Sequence, residues 1–112
     1  MKNVDLLCEA INKTKATNVV KIDISNISSI ADYFVLATGS SSTNVAAIAD
    51  QVEVELKKKK ISPLRRNGRS GETWIVVDYG DVVFHVFDEE TREFYNLEKL
   101  WGNQNNLTLI GE

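Results

Sequence analysis

The spacing of apolar positions changes period several times along the chain, and each change marks an element. Between Asn3 and Lys15, Val4, Leu7, Cys8 and Ile11 fall three, one and three residues apart. That is a single stripe, which predicts an amphipathic helix with Cys8 as a small core residue inside it. From Val19 to Ile24 the period drops to two: Val20, Ile22 and Ile24 alternate with Val19, Lys21 and Asp23, the signature of a half-buried strand. Ser25–Ala31 reads as a turn or a single helical turn. Tyr33–Thr38 is continuously apolar, as a strand covered on both faces would be. After Gly39 and three serines the helical period returns from Thr43, with Val45, Ile48, Val52 and Leu56 spaced three, four and four. This helix ends in the run Lys57–Lys60, whose charge suits the negative end of the helix dipole. Pro63 closes it and begins a short extended piece, Leu64–Asn67, and Gly68 and Gly71 bracket an exposed basic loop.

The most regular stretch follows. Thr73–Asp78 and Val82–Phe87 are two β-rich runs joined by Tyr79-Gly80-Asp81, a Gly-bearing turn short enough for an antiparallel hairpin. Its polar positions are few (Asp78, Asp81 and His85), so the hairpin is expected near the centre of its sheet. Asp88-Glu89-Glu90 then leads into a predicted helix over Arg92–Trp101, with Phe94, Leu97, Leu100 and Trp101 as its core stripe. The end of the chain, Gly102–Glu112, is polar except for Leu107, Leu109 and Ile110, and is expected to be loosely held or to pack against the domain edge. The order α-β-β-α-β-β-β-α gives an α/β architecture, a mixed sheet of about five strands flanked by helices. One domain over residues 1–102 with a tail at 103–112 is the expected organisation.

Composition narrows the function. A length of 112 residues supports one modest core. No apolar run approaches the roughly 18–20 residues needed to span a bilayer. The stretch MKNVDLLCEA has acids within it and no apolar core with a cleavage site, so neither a secretory signal nor a transit peptide is expected, and cytoplasm is the default. The single cysteine excludes an internal disulfide and a multi-cysteine metal cluster. A net charge of −3 argues against coating nucleic acid by bulk electrostatics. The charge is nevertheless uneven. Lys57, Lys58, Lys59, Lys60, Arg65, Arg66 and Arg69 are 7 of the 13 basic residues, whereas Ser70–Leu100 carries Glu72, Asp78, Asp81, Asp88, Glu89, Glu90, Glu93 and Glu98 against Arg92 and Lys99. Two solvated faces account for this; an acidic docking surface for a basic partner is the sharper reading.

Enzymatic chemistry finds little support. Thr38-Gly39-Ser40 lies between a strand and a helix, where a Gly-Ser turn can hold a phosphate. Nucleotidyltransferases combine such a turn with two carboxylates one residue apart on the next strand to hold magnesium. Here the next element is a helix carrying Asp50, and capping or turn chemistry explains the Gly-Ser sequence. Asp78 and Asp81 flank a tight turn, but two carboxylates alone make a poor metal site. His85, the single histidine, is expected to be a satisfied or partly covered core residue, and no hydrolase triad can be assembled around it. Trp74 and Tyr79 are different. Trp74 opens the hairpin on the strand face shared with Val76 and Asp78, and Tyr79 sits in the turn, where a core role is awkward. Large aromatics beside acids at a sheet rim have the composition of interface hot spots.

The chain resembles the ribosomal silencing factor family, also called Iojap-like. The resemblance is carried by Ile30-Ala31-Asp32-Tyr33-Phe34-Val35 running into Thr38-Gly39-Ser40, by Val45-Ala46-Ala47-Ile48-Ala49-Asp50, and above all by Trp74-Ile75-Val76-Val77-Asp78-Tyr79-Gly80-Asp81-Val82-Val83 with His85. Arg92, Tyr95, Leu97, Glu98, Leu100 and Trp101 also fit. It covers residues about 3–102. It implies a fold related to nucleotidyltransferases without their catalytic carboxylates, no enzymatic activity and no cofactor. It further implies binding to large-subunit ribosomal protein uL14 on the face that meets the small subunit. Subunit joining would then be blocked and translation repressed, especially when nutrients are short. Family members tend to be homodimers when free. Carried over residue by residue, the docking surface falls on Trp74, Val76, Asp78, Tyr79 and Asp81, with Glu72 as a further candidate. The lysine run is a candidate for peripheral contact with ribosomal RNA. Two alternatives stay open: a nucleotide-binding or nucleotidyl-transferring enzyme using Thr38-Gly39-Ser40, and a large-subunit assembly factor.

Overall fold

A computed structural model describes residues 3–68, 71–102 and 105–110. Arg69 and Ser70 of the expected basic loop lie outside the described residues.

The two apolar runs become the middle of the sheet. β2 (Tyr33–Gly39) and β5 (Val82–Asp88) run parallel, paired from Tyr33 with Val82 to Gly39 with Asp88. Nearly every side chain on both is buried, as expected of strands covered on two faces. β1 (Thr17–Asp23) lies antiparallel against β2, and β4 (Trp74–Asp78) antiparallel against β5. β3 (Arg65–Asn67) and β6 (Leu107–Ile110) close the edges, giving the order β3-β4-β5-β2-β1-β6. The mixed α/β architecture agrees with the sequence reading, with six strands among the described residues where about five were expected. The sixth is β6: the segment read as a tail pairs with β1 from Ile22–Leu107 to Val19–Ile110, so it packs on the domain edge as a strand.

α1 (Asn3–Asn12) and α2 (Ser42–Lys57) cover one face of the sheet. Val4, Leu7 and Ile11 of α1 and Val45, Ile48, Val52 and Leu56 of α2 meet Val35, Ala37, Ile75, Val77, Phe84 and Val86. Each such side chain contributes about 1.5–3 kcal/mol by leaving water. Cys8 is half-buried beside this core, and burial raises its thiol above the ordinary value, in keeping with a packing role.

The C-terminal helix departs from expectation. It is two short helices, α3 (Glu89–Tyr95) and α4 (Leu97–Trp101), broken at Asn96, whose backbone is left-handed at φ 46°. Asn96 ends α3 by donating its N–H to the Arg92 carbonyl, and its side chain then caps α4 by accepting from the Lys99 N–H. The kink breaks the expected stripe. Leu97 is buried and Trp101 partly so, but Phe94 is 79% and Leu100 73% exposed. Arg92 instead turns inward. Its guanidinium donates to Glu98 at 2.9 Å, to the Thr38 hydroxyl at 2.7 Å and to the Asn18 carbonyl at 2.5 Å, tying α3 to the ends of β2 and β1.

Candidate docking face

β4 alternates, and its two faces have different fates. Ile75 and Val77 point to the helix-covered core and are fully buried. Trp74, Val76 and Asp78 point to the opposite face, which α1 and α2 leave uncovered, and each is half-buried. β5 sets Phe87 opposite Trp74, His85 opposite Val76 and Val83 opposite Asp78. On the outer side, Arg65 of β3 is paired with Asp78 and Asn67 with Val76. A short strip of partly open residues therefore sits over a row of buried ones.

Aromatic rings knit this face together. Trp74 lies 4.7 Å from Tyr95, 5.6 Å from Phe87 and 5.9 Å from His85, centroid to centroid. Phe34 continues the row from β2, meeting His85 edge-on at 4.8 Å and Trp101 at 5.1 Å. Tyr95 and Trp101, the last residues of α3 and α4, thus belong to the same cluster as Trp74. The sequence read the hairpin and its trailing helix as one unit, and these ring contacts join the two.

His85 is 7% exposed, as a core histidine should be, yet it is only half satisfied. Its Nδ1 accepts from the Trp74 indole N–H at 3.2 Å, while its buried Nε2 has no partner. Burial pulls its pKa down to about 4, so the imidazole is neutral at physiological pH.

The six residues singled out for docking do not form one patch. Trp74, Val76 and Asp78 share the uncovered face, and Glu72 is exposed in the loop that leads into it. Asp78 also has a structural task, since its Oδ1 accepts from the Gly80 N–H at 2.8 Å and shapes the turn. Gly80 sits at φ +97°, the left-handed conformation that glycine adopts without steric cost. Asp81 turns the other way: its carboxylate accepts from Asn3 of α1 at 3.2 Å.

Tyr79 corrects the reading that a turn position makes a core role awkward. It is 5% exposed and joins the helix-side core with Ile75 and Val77, because the two-residue period of β4 carries through it. Burial, reinforced by the nearby Glu53 carboxylate, pushes its phenol up to about 12, and its hydroxyl has no partner.

The Gly-Ser turn is committed to holding a helix. Ser41 caps α2 by accepting from the Asn44 N–H at 3.1 Å, and the Asn44 side chain accepts from the Ser40 N–H at 2.9 Å. Two of the backbone donors that a phosphate would need are thus occupied. A side chain at Gly39 would come within 2.9 Å of the Val45 backbone nitrogen, so this glycine permits close packing of α2 on β2. Among the described residues, no three His, Cys, Asp or Glu side chains are grouped so as to hold a metal ion, and no helix is long and apolar enough to cross a membrane.

The basic region is partly paired on the helix side. Arg66 reaches Asp50 at 2.8 Å and Glu53 at 3.2 Å, and Lys58 and Lys13 both reach Glu55 at 3.2 Å. The acids of α3 (Glu89, Glu90 and Glu93) are exposed.

Comparison with known proteins agrees with this fold. A ribosomal silencing factor RsfS of Halalkalibacterium halodurans is 40% identical over 99% of this chain and 97% of its own. A crystal structure of a protein from Chromobacterium violaceum superposes with a TM-score of 0.84 at 32% identity, covering 96% of this chain and 90% of that one. A more distant mouse relative, named mitochondrial assembly of ribosomal large subunit protein 1, is 29% identical over 88% of this chain and 45% of its own length. The family model described as "Ribosomal silencing factor during starvation" matches residues 1–111, so the chain belongs to the ribosomal silencing factor family.

Proposed function

We propose that this protein is a non-enzymatic translational repressor that docks on ribosomal protein uL14 of the large subunit and so blocks joining of the small subunit, notably when nutrients are short. The observation that carries the reading is the strip Trp74–Val76–Asp78, half-open on the sheet face that α1 and α2 leave uncovered. An aromatic anchor flanked by acids suits a basic ribosomal protein: the indole supplies apolar area, and Glu72 and Asp78 supply charge complementarity. Asp81, turned toward α1, stands apart from this strip. Tyr79 supports it from below, filling the core beneath the turn. The net charge of −3 sets the protein against bare ribosomal RNA, leaving the exposed lysines Lys57–Lys60 for peripheral RNA contact. The free protein acts in the cytoplasm as a homodimer in this reading.

The test is sedimentation of purified subunits with the wild-type protein and with Trp74→Glu. Wild-type protein is expected to travel with the large subunit and to reduce the yield of joined ribosomes. The folded Trp74→Glu variant is expected to lose both effects, by more than about tenfold in affinity. Undiminished binding of that variant would refute the docking surface. A second reading is that the same surface serves large-subunit assembly, favoured by the name of the mouse relative. Immature subunits accumulating in a deletion strain, with joining of mature subunits unchanged, would select it.

A further inference from the structure

On a pleated strand the side chain directly across from Trp74 is that of Phe87, and His85 stands one same-face position along, across from Val76. The Trp74 indole nevertheless leans along that diagonal, so that its Nε1–H meets His85 Nδ1 at 3.2 Å. Phe87 and Tyr95 flank it at 5.6 and 4.7 Å. An Nδ1 that accepts is bare, which places the single proton of the neutral ring on Nε2. That Nε2–H is buried without a partner. An apolar ring at position 85 would remove the unpaired Nε2–H but would leave the indole N–H without its acceptor.

We propose that His85 is the positioning residue of the docking anchor: by accepting from the indole N–H it fixes Trp74 in one orientation, so that the ring presents only apolar surface to the ribosomal protein. The inference rests on the reading that Trp74 docks on the large subunit. A tryptophan whose polar atom is already satisfied requires no new hydrogen bond from its partner, and a ring already held loses little freedom on binding.

The experiment measures affinity of the full chain for purified large subunits in Trp74→Phe, His85→Phe, His85→Asn and the double variant Trp74→Phe/His85→Phe, with Trp74→Glu as reference. In parallel, solution NMR follows exchange of the indole N–H. His85→Phe is expected to weaken binding about tenfold and to expose the indole N–H to exchange. His85→Asn, whose Oδ1 occupies nearly the place of Nδ1, should recover most of both. In the Trp74→Phe background the His85→Phe change should cost less than about twofold, because the hydrogen bond is already absent. Full additivity in the double variant, or wild-type affinity in folded His85→Phe while Trp74→Glu fails to bind, overturns the positioning role alone. Wild-type affinity in Trp74→Glu removes the docking reading and this role with it. Should His85→Phe not fold, the nitrogen-15 shifts of the wild-type imidazole decide: a bare Nδ1 upholds the role, and a protonated Nδ1 ends it.

Discussion

The two faces of the sheet are built on different terms. The helix-covered face is apolar apart from the buried Tyr79 hydroxyl: Phe84, Ile75, Val77 and Val86 are fully buried beneath two helices whose stripes match them. Among the described residues, the other face is covered by the short α3–α4 pair and by Ile24 and Ala31 of the β1–β2 connection. It carries a neutral histidine with one unpartnered nitrogen, an arginine turned inward, and half-open Trp74 and Val76. The first face is the larger core, and the second has a smaller one of its own around Ile22, Leu36 and Phe87. The second leaves part of its aromatic surface open, and exposed Phe94 and Leu100 extend its apolar character onto the helices. If the second face docks as proposed, alternate residues of β4 serve different purposes, packing on one side and recognition on the other.

Substitutions can test that division. The largest effect is expected from Phe84→Ala, which empties the centre of the helix-covered core. Denaturant unfolding should show a loss of about 3–5 kcal/mol. A loss below about 1 kcal/mol would mean that this face is not the stabilising one.

The next test concerns His85 and the pH dependence of stability. Its folded pKa, about 4, lies below the ordinary 6.5. Between these values the unfolded chain binds the proton and the folded chain does not, so stability falls as the pH is lowered through this window. The contribution amounts to about 3 kcal/mol once pH 4 is reached. Carboxylates also titrate there, so the measurement is the difference between wild type and His85→Phe. The wild type should show the steeper loss from pH 6.5 to 4, and parallel curves would show that His85 is not held neutral by the fold.

The smallest effect is expected on the outside of α3. Phe94→Ser should change stability by no more than about 0.5 kcal/mol, since the ring is mostly in water already. If thermal unfolding reported a loss of several kcal/mol, α3 would be packed more deeply than its exposure implies, and the contrast between the faces would weaken.

Period alone was enough to recognise α1, β1, β2, α2 and the β4–β5 hairpin, because each buries one regular stripe or a continuous run. The family pattern, too, was legible in Trp74–Val83 with His85. Period carries a further signal at the turn. Tyr79 follows Ile75 and Val77 at two-residue intervals, which assigns it to the core more strongly than its turn position assigns it to the surface. The helical spacing of Phe94, Leu97 and Leu100 misled for a local reason, since Asn96 takes a left-handed conformation and rotates the second half of the segment away from the first. Leu107–Ile110 is too short and isolated to announce a strand, and becomes one only because β1 offers it an edge.

The sequence by itself determined the alternation that sends Ile75 and Val77 to one side and Trp74, Val76 and Asp78 to the other. Only the tertiary structure decided what that second side would be. The register that sets Trp74 against Phe87 and Val76 against His85 brings indole and imidazole within a hydrogen bond. The kink at Asn96 lays Tyr95 and Trp101 against the same aromatic row. Local periodicity fixes which face of an element is apolar. Which residues meet across strands depends on register and on where the covering helices turn, and those are settled by packing among parts of the chain far apart in sequence.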